Sequence, residues 1–188
     1  MQSSTTTAVN GVDVGRLLET VRVAQQTPDA VRFEFRTHNA WLDGGHNRST
    51  ITSFDVGGAP DSARTATFVL DNDEPDVLLG TDQAANPVEY VLHALAGCLT
   101  TSLVYHAAAR GVAVQAVECR LAGGLDLRGF LGVSDDVRRG YQQIAVDMRV
   151  EADADAATLD ELVAAAQKHS PVYDIVTNGV PVSVRREQ

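Results

Sequence analysis

The sequence predicts an α+β fold built on antiparallel sheet, and three observations support this class. Four segments have the alternating apolar and polar side chains of half-buried strands; they are residues 31–42, 47–56, 112–125 and 142–151. Three segments are typical of helices; they are residues 12–25, 86–110 and 156–169. The order along the chain is roughly α-β-β-β-α-β-β-α-α-β, which suggests antiparallel rather than regularly alternating βαβ structure.

The first part of the chain predicts a helix followed by three strands. Residues 12–25 carry apolar side chains at positions i, i+3, i+4 and i+7, the pattern of an amphipathic helix. Residues 31–42 and 47–56 form a hairpin, because the Asp-Gly-Gly sequence at 43–45 is a turn signal. Residues 65–70 are predicted to be the third strand.

A loop and a long helix occupy the middle of the chain. Residues 71–85 form an acidic loop that is long enough to be suspected of lining a site. The helix then begins at Asn86, which is a good N-cap, with Pro87 at the first helical position and Glu89 at the third. This spacing resembles a capping box. Gly111 is predicted to end the helix.

The last part of the chain predicts two strands, two helices and a final strand. The elements are strands at 112–125 and 142–151, helices at 156–169 and 170–176, and a strand at 180–185. Ser170 and Pro171 supply N-cap and first-position chemistry for the short helix. An Asn-Gly pair at 178–179 closes that helix and separates it from the final strand.

Composition and charge exclude several functional classes. The 188 residues suggest one domain, or one domain with an N-terminal extension. With 25 acidic against 15 basic side chains, the net charge of -10 repels phosphate backbones and anionic lipids, so we expect no nucleic-acid or membrane partner. The first residues lack the features of a secretory signal, and polar side chains interrupt the longest apolar segment. Two cysteines without metal-type spacing then indicate the reducing cytoplasm.

Cys98 is the candidate functional residue that the sequence marks most clearly. It follows Gly97 in the apolar, small-residue part of the long helix. A buried structural cysteine is the usual alternative for such a position. A reactive thiolate in mid-helix gains nothing from the helix N-terminus, so it requires a nearby cation. Cys119 shares a strand face with Val117 and Leu121, which favours core packing over a resolving role.

Five short motifs carry a resemblance to a known family. They are Gly-Gly at residues 44–45, Asn-Pro at 86–87, Ala-Gly-Cys at 96–98, Ser-Pro-Val at 170–172 and Thr-Asn-Gly-Val-Pro-Val at 177–182. Together they resemble the osmotically inducible protein C and organic hydroperoxide resistance (OsmC/Ohr) family, in a subgroup without the usual second cysteine. The resemblance covers about residues 33–184. We therefore expect an OsmC-like domain at 31–188, preceded by an N-terminal tail and helical extension at 1–30.

The resemblance implies both a fold and an activity. The expected fold has two antiparallel sheets wrapped around two long central helices, in an intertwined homodimer with its active site at the dimer interface. In this family a reactive cysteine reduces an organic hydroperoxide to the alcohol and becomes a sulfenic acid. A second cysteine then closes a disulfide, which an external dithiol reduces. The resemblance implies no cofactor.

The family's site residues match this sequence unequally. Cys98 matches the reactive cysteine, whereas Ser170 stands where the second cysteine would be. His46 holds the place of the activating arginine, and Arg48 lies two residues further along the same strand face. Glu89 lies one position after the place of the family's glutamate. The expected catalytic set is therefore Cys98, Arg48, His46 and Glu89.

Structural roles compete with the catalytic ones at several of these positions. Glu89 lies nine residues before Cys98, which is about 180° around a regular helix, so direct contact needs a distorted first turn or the other subunit. Helix capping explains Glu89 at least as well. Arg48 has the alternative of a solvated strand residue. No set of histidine, cysteine and acidic residues has convincing zinc spacing, so we expect no metal.

Three functional hypotheses follow from these observations. The first is a thiol-dependent peroxidase that works through Cys98, with an external thiol or dithiol as reductant because Ser170 cannot form a disulfide. The second is a non-catalytic dimeric protein of the same fold that binds a small apolar molecule. The third, a Cys98-based hydrolase or acyl-transfer enzyme, lacks an evident histidine base on the same helix face.

Overall fold

Two units of mixed helix and strand make up the chain in the computed structural model, which describes residues 8–187. The N-terminal unit is Gly15–Val91, and the C-terminal unit combines the segment up to Val14 with Leu92–Gln188. Each unit contains helix and antiparallel sheet, so the predicted α+β class is confirmed.

Ten strands and five helices form the described part of the chain. The strands are β1 (Ala8–Val9), β2 (Val12–Asp13), β3 (Phe33–Phe35), β4 (His38–Asp43), β5 (His46–Ile51), β6 (Phe54–Val56), β7 (Ala59–Pro60), β8 (Phe68–Asn72), β9 (Val114–Gly124) and β10 (Gln143–Ala152). The helices are α1 (Val14–Gln26), α2 (Pro87–Ala109), α3 (Leu127–Phe130), α4 (Ala156–His169) and α5 (Pro171–Thr177), and short 3-10 turns cover Pro28–Val31 and Asp76–Leu78. The sheet orders are β1-β2, β3-β6-β7, β4-β5-β8 and β9-β10, and every pairing is antiparallel.

The predicted hairpin of the N-terminal unit forms, but it divides between two sheets. Strand β3 pairs with β6, whereas β4 pairs with β5, so each long predicted strand becomes two. Phe35 lies opposite Phe54 and His38 lies opposite Thr50, so two intervening residues on one side correspond to three on the other. Side-chain alternation cannot reveal this shift, because each half keeps its own period of two. Gly44 makes the turn with φ of 51°.

Helix α2 begins and ends as the sequence predicts. Asn86 Oδ1 accepts a hydrogen bond from the backbone N–H of Val88 (2.9 Å), and Glu89 Oε2 accepts one from the N–H of Asn86 (2.9 Å). These reciprocal bonds form the expected capping box. At the other end Gly111 adopts φ of 71°, and its N–H donates to the carbonyl oxygen of Ala108 (3.0 Å). A glycine in this left-handed conformation is a common helix stop.

The core of the C-terminal unit lies where α2 and α4 pack on the β9-β10 ribbon. Leu103 and Ala107 of α2 form a buried cluster with Leu162 and Ala166 of α4. Partly buried apolar side chains surround it; they are Val112, Val114, Val117, Met148, Val150 and Val163. The small alanines allow the two helices to approach closely, and the ribbon covers them with one face of each strand.

The predicted strand at residues 180–185 does not form. Val180, Val182 and Val184 are exposed, and among the described residues no strand pairs with this segment. Alternating valines favour extended backbone, but a strand also needs a neighbouring strand to satisfy its backbone groups. The prediction of a strand at residues 180–185 was therefore wrong, because the alternating valines indicate a preference for extended backbone but not the presence of a pairing strand.

Helix α2 is long and apolar enough to cross a membrane by length and composition. The prediction that no segment approaches a membrane span is wrong on those two criteria. The core helix of a soluble protein passes the same test, and α2 buries Leu95, Leu99 and Leu103 against its own unit. A single helix that passes this test is weak evidence for a membrane span.

The predicted N-terminal extension is visible in part. Helix α1 covers Val14–Gln26 rather than residues 12–25, because Val12–Asp13 pairs with Ala8–Val9 as a small hairpin. Residues 1–7 of the predicted tail lie outside the described residues. The boundary between extension and domain near residue 30 stays a prediction.

Candidate functional site

Cys98 lies beside the buried face of α2 rather than on it. Leu95, Leu99 and Leu103 are buried and recur every fourth residue, so they form one stripe. Cys98 is about 100° around the helix from Leu99. Its side chain is half-buried and its thiol is free. This position is unlike that of a cysteine packed in the centre of a core.

The side of α2 that carries Cys98 is open in the single chain. Ala94, Thr101 and Tyr105 lie within about 60° of Cys98 around the helix, and all three are exposed. A substrate or a second subunit can therefore approach the thiol along this face. The buried stripe, in contrast, is already occupied by the unit's own core.

Cys119 contacts the other side of the same helix. Its Sγ lies 3.3 Å from Oγ1 of Thr100, and it sits opposite Met148 in the β9-β10 ribbon. Thr100 and Cys98 are two residues apart, which is about 200° around a helix. The position supports core packing for Cys119 and points it away from Cys98 within one chain.

Ser170, where the sequence resemblance led us to expect the second cysteine's place, caps α5. It is only 2% exposed, and its Oγ accepts a hydrogen bond from the N–H of Tyr173 (3.2 Å). The predicted N-cap role is therefore confirmed. A serine hydroxyl in this position offers no sulfur for disulfide exchange.

Arg48 is held by a carboxylate across the sheet. It lies on β5, and the neighbouring residue on β8 is Asp71. Arg48 Nε donates to Asp71 Oδ1 (2.6 Å) and Nη2 donates to Oδ2 (2.8 Å). This two-bond geometry fixes the plane of the guanidinium. The side chain is still 48% exposed, so the rest of the group faces outward.

His46 shares the same carboxylate. Its Nε2 lies 3.5 Å from Asp71 Oδ2, which is a long contact, and this buried nitrogen has no hydrogen-bond partner in the described chain. Tyr90, in the first turn of α2, donates from its hydroxyl to the backbone oxygen of Asp71 (2.8 Å). Arg48 and His46, which the sequence presented as alternatives, are thus gathered around one acid.

The charges of Arg48 and Asp71 stabilise each other. The hydrogen bond from Arg48 lowers the pKa of Asp71 to about 2, against a smaller opposing effect of desolvation, and His46 adds to the lowering. In return the hydrogen bond to Asp71 raises the pKa of Arg48. Both groups therefore remain charged throughout the neutral range.

Replacing Asp71 with asparagine is expected to change how stability depends on pH. The pKa of Asp71 falls on folding from 3.8 to about 2, so its contribution is complete above about pH 4 and is lost as the pH drops towards 2. Urea unfolding of wild type and Asp71→Asn should therefore give a difference in unfolding free energy that is constant above about pH 4 and shrinks below it. Asp135→Asn, at a carboxylate that is 99% exposed, serves as the control. A pH-independent difference for Asp71→Asn would contradict the ion pair.

A second acid organises the loop that the sequence suspected of a role. Asp73 is 1% exposed, and its carboxylate accepts hydrogen bonds from the hydroxyl and N–H of Thr81 and the N–H groups of Gln83 and Glu74. The Thr81 hydroxyl, followed by the backbone donors, lowers the pKa of Asp73 to about 2. A Cβ at Gly80 would lie 1.8 Å from the carbonyl oxygen of Glu74, so only glycine fits there. The loop is closed around Asp73.

Glu89 acts as a helix cap. Its carboxylate accepts the N–H of Asn86, and the amide of Asn86 also donates to Glu74. The structure therefore supports the capping interpretation that the sequence left open. A catalytic role for Glu89 stays a prediction, as do those of the other site residues.

The candidate residues belong to different units. Arg48, His46 and Glu89 lie in the N-terminal unit, and Cys98 lies in the C-terminal unit. Asp71 was not predicted as a site residue, because the third strand was predicted to end at residue 70. The signal that could have found it is an acidic residue directly opposite an arginine on the neighbouring strand. That signal can be used only once the pairing of β5 with β8 is known.

Metal binding has no structural support within residues 8–187. No group of three or more histidine, cysteine or acidic side chains there is arranged to hold an ion. The rings of His106 and His169 have centroids 4.8 Å apart. Burial, followed by the charges of His169 and Arg110, lowers the pKa of His106.

Comparisons with known proteins agree on one fold. A family model described as OsmC-like protein matches residues 80–185. The chain is similar to the solved structure of an OsmC-like protein from Mycoplasma pneumoniae, with a TM-score of 0.59 and 13% identity over 78% of this chain and 89% of that one. It is also similar to a proposed osmotic stress-induced and detoxification response protein from Psychrobacter arcticus, with a TM-score of 0.55 and 12% identity over 73% of this chain and 85% of that one. An OsmC-like protein of unknown function from Vibrio cholerae has a TM-score of 0.53 and 12% identity over 75% of this chain and 92% of that one. No curated protein sequence matches the chain. At such identities the structures establish the fold alone.

Proposed function

Because the chain belongs to the OsmC-like protein family, we propose that it is a thiol-dependent peroxidase acting on organic hydroperoxides through Cys98. The Cys98 thiolate attacks the terminal oxygen of the hydroperoxide, the O–O bond breaks, and the alkoxide takes a proton and leaves as the alcohol. The sulfur is oxidised to a sulfenic acid. An external thiol then displaces water to give a mixed disulfide, and a second thiol releases Cys98.

The observation that carries the proposal is the free, half-buried thiol of Cys98 on the open side of α2. A reactive thiol needs access to its substrate and some shelter from water, and this position supplies both. The Ala-Gly-Cys motif within the part of the chain that the family model matches supports the same residue. A core cysteine, by contrast, would be inaccessible to peroxide.

Arg48 supports the proposal as the cation for the thiolate. Asp71 engages Nε and Nη2 of Arg48, and Nη1 has no hydrogen-bond partner among the described residues. Asp71 therefore orients the guanidinium through one edge. The remaining N–H groups of the guanidinium can donate hydrogen bonds to the sulfur and to the peroxide oxygens. His46, which faces the same carboxylate, is the alternative donor. We propose that these groups meet Cys98 in the assembled dimer.

Exposed apolar side chains support the dimer. In the N-terminal unit Phe35 and Trp41 are 68% and 71% exposed, and no described apolar residue of this unit is fully buried. Three-stranded sheets normally need one covered face to be stable. A second copy of the chain is the partner that the family resemblance implies. We place the assembled protein in the cytoplasm, where its two free cysteines stay reduced.

Replacing Cys119 with serine is expected to leave peroxidase turnover within about twofold of wild type. Cys119 contacts Thr100 on the far side of α2 from Cys98, so the proposed cycle uses an external thiol and not Cys119. The measurement is steady-state reduction of cumene hydroperoxide with dithiothreitol or lipoamide as reductant. A loss of turnover together with a Cys98–Cys119 disulfide in the oxidised wild type would contradict the one-cysteine cycle.

The second candidate function is a binding protein without turnover. A cavity of about 300 Å³ in the C-terminal unit favours it, because apolar walls of this kind accommodate small molecules. The two functions are separated by one measurement: peroxidase activity that requires Cys98 excludes the purely non-catalytic protein. Ligand binding alone would not contradict the peroxidase proposal.

A further inference from the structure

An apolar cavity lies within the C-terminal unit between α2, β10, α4 and α5. Its volume is about 300 Å³, at the lower end of the range for ligand pockets. The apolar lining residues are Leu99, Ile144, Val146, Met148 and Val163. Cys98, the neighbour of Leu99 in the helix, does not line it. The cavity is therefore separate from the proposed reactive thiol.

Local geometry explains why these walls face one space. Ile144, Val146 and Met148 alternate along β10, so they project from one face of the ribbon. Met148 also packs against the core cluster, so the cavity continues the core instead of lying on a separate surface. Leu99 belongs to the buried stripe of α2.

A polar pair marks one part of the cavity lining. Gln167 on α4 donates from Nε2 to the hydroxyl oxygen of Tyr173 on α5 (2.5 Å). The hydroxyl proton of Tyr173 has no acceptor among the described residues, so it is available to an oxygen of a ligand. The lining contains no Asp, Glu, Lys, Arg or His. An ionic head group would therefore find no side chain of opposite charge there.

We propose that this cavity binds a small uncharged amphipathic molecule, such as an aliphatic alcohol or carbonyl compound. Its size is on the order of ten non-hydrogen atoms, given interior packing density. The aliphatic part lies among Ile144, Val146 and Val163, and the oxygen accepts a hydrogen bond from Tyr173. This site is independent of the peroxidase chemistry, because it makes no use of Cys98.

The test is a calorimetric titration of the full chain with 1-octanol and with octanoate. We expect 1-octanol to bind and octanoate to bind at least about tenfold more weakly, because the lining has no cation to pair with its carboxylate. Val146→Phe fills the cavity and should abolish octanol binding. Tyr173→Phe removes one hydrogen bond and should weaken it about tenfold. Cys98→Ser should bind octanol as wild type does.

Each alternative result is informative. Three results would contradict the proposed site: no binding of octanol, equal affinities for octanol and octanoate, or octanol binding that persists in Val146→Phe. Octanol binding that disappears in Cys98→Ser would place the ligand beside the thiol and would also contradict the proposed site. Circular dichroism checks folding of each variant, and Tyr173→Phe decides the question if Val146→Phe does not fold. These expected results do not depend on whether the protein has peroxidase activity.

Discussion

Replacing Cys98 with serine is expected to lower kcat/KM for cumene hydroperoxide by at least about 1,000-fold. Serine keeps the size of the side chain but is not ionised at neutral pH, so it supplies no nucleophile for the O–O bond. Because Cys98 is only half-buried, the change should leave the fold intact. The measurement is peroxide consumption with excess thiol, alongside thermal unfolding of both proteins.

A Cys98→Ser variant that retains more than about a tenth of the wild-type rate would contradict the peroxidatic role. Cys119→Ser is the matched control, since it removes the other thiol from the same unit. Loss of activity in both variants would point to a shared disulfide. Wild type without activity would leave the binding function as the better hypothesis.

Replacing Arg48 with methionine is expected to lower kcat/KM by about 100-fold. Methionine keeps most of the aliphatic side chain but cannot stabilise the thiolate or the departing alkoxide. Thermal unfolding separates this role from a structural one, which would lower the unfolding temperature together with the rate.

Arg36→Met is the control for a lost ion pair in the same unit. Arg36 Nη2 donates to Asp55 Oδ2 (2.7 Å), an exposed pair in the neighbouring sheet. Its removal should change kcat/KM by less than about twofold. Equal losses in Arg36→Met and Arg48→Met, or an unchanged rate in Arg48→Met, would contradict the assignment. His46→Asn then distinguishes the two candidate donors.

The parts of the fold that were predictable are those with local signals. The Asn-Pro start and Gly111 end of α2 follow from capping chemistry, and the β9-β10 ribbon follows from alternation. The division of the hairpin between two sheets depends on a register shift, and the unformed strand at 180–185 depends on a missing neighbour. Both are properties of pairing between distant segments, which a periodic pattern does not encode.

The candidate site shows the same limit. Cys98, Arg48 and His46 are predictions that rest on their positions in or near sequence motifs. Asp71 could not be predicted in this way, because its importance comes from lying opposite Arg48 in the next strand. The capping spacing of Glu89 was visible in the sequence, since a capping box lies within four residues, but spacing alone left its catalytic role open.

The most direct measurement treats the reduced protein with one equivalent of cumene hydroperoxide and maps the product by mass spectrometry with dimedone trapping. The expected result is one sulfenic acid on Cys98, an unmodified Cys119, and cumyl alcohol formed in equal amount. An unmodified Cys98 with the hydroperoxide unconsumed would contradict the proposed peroxidase function.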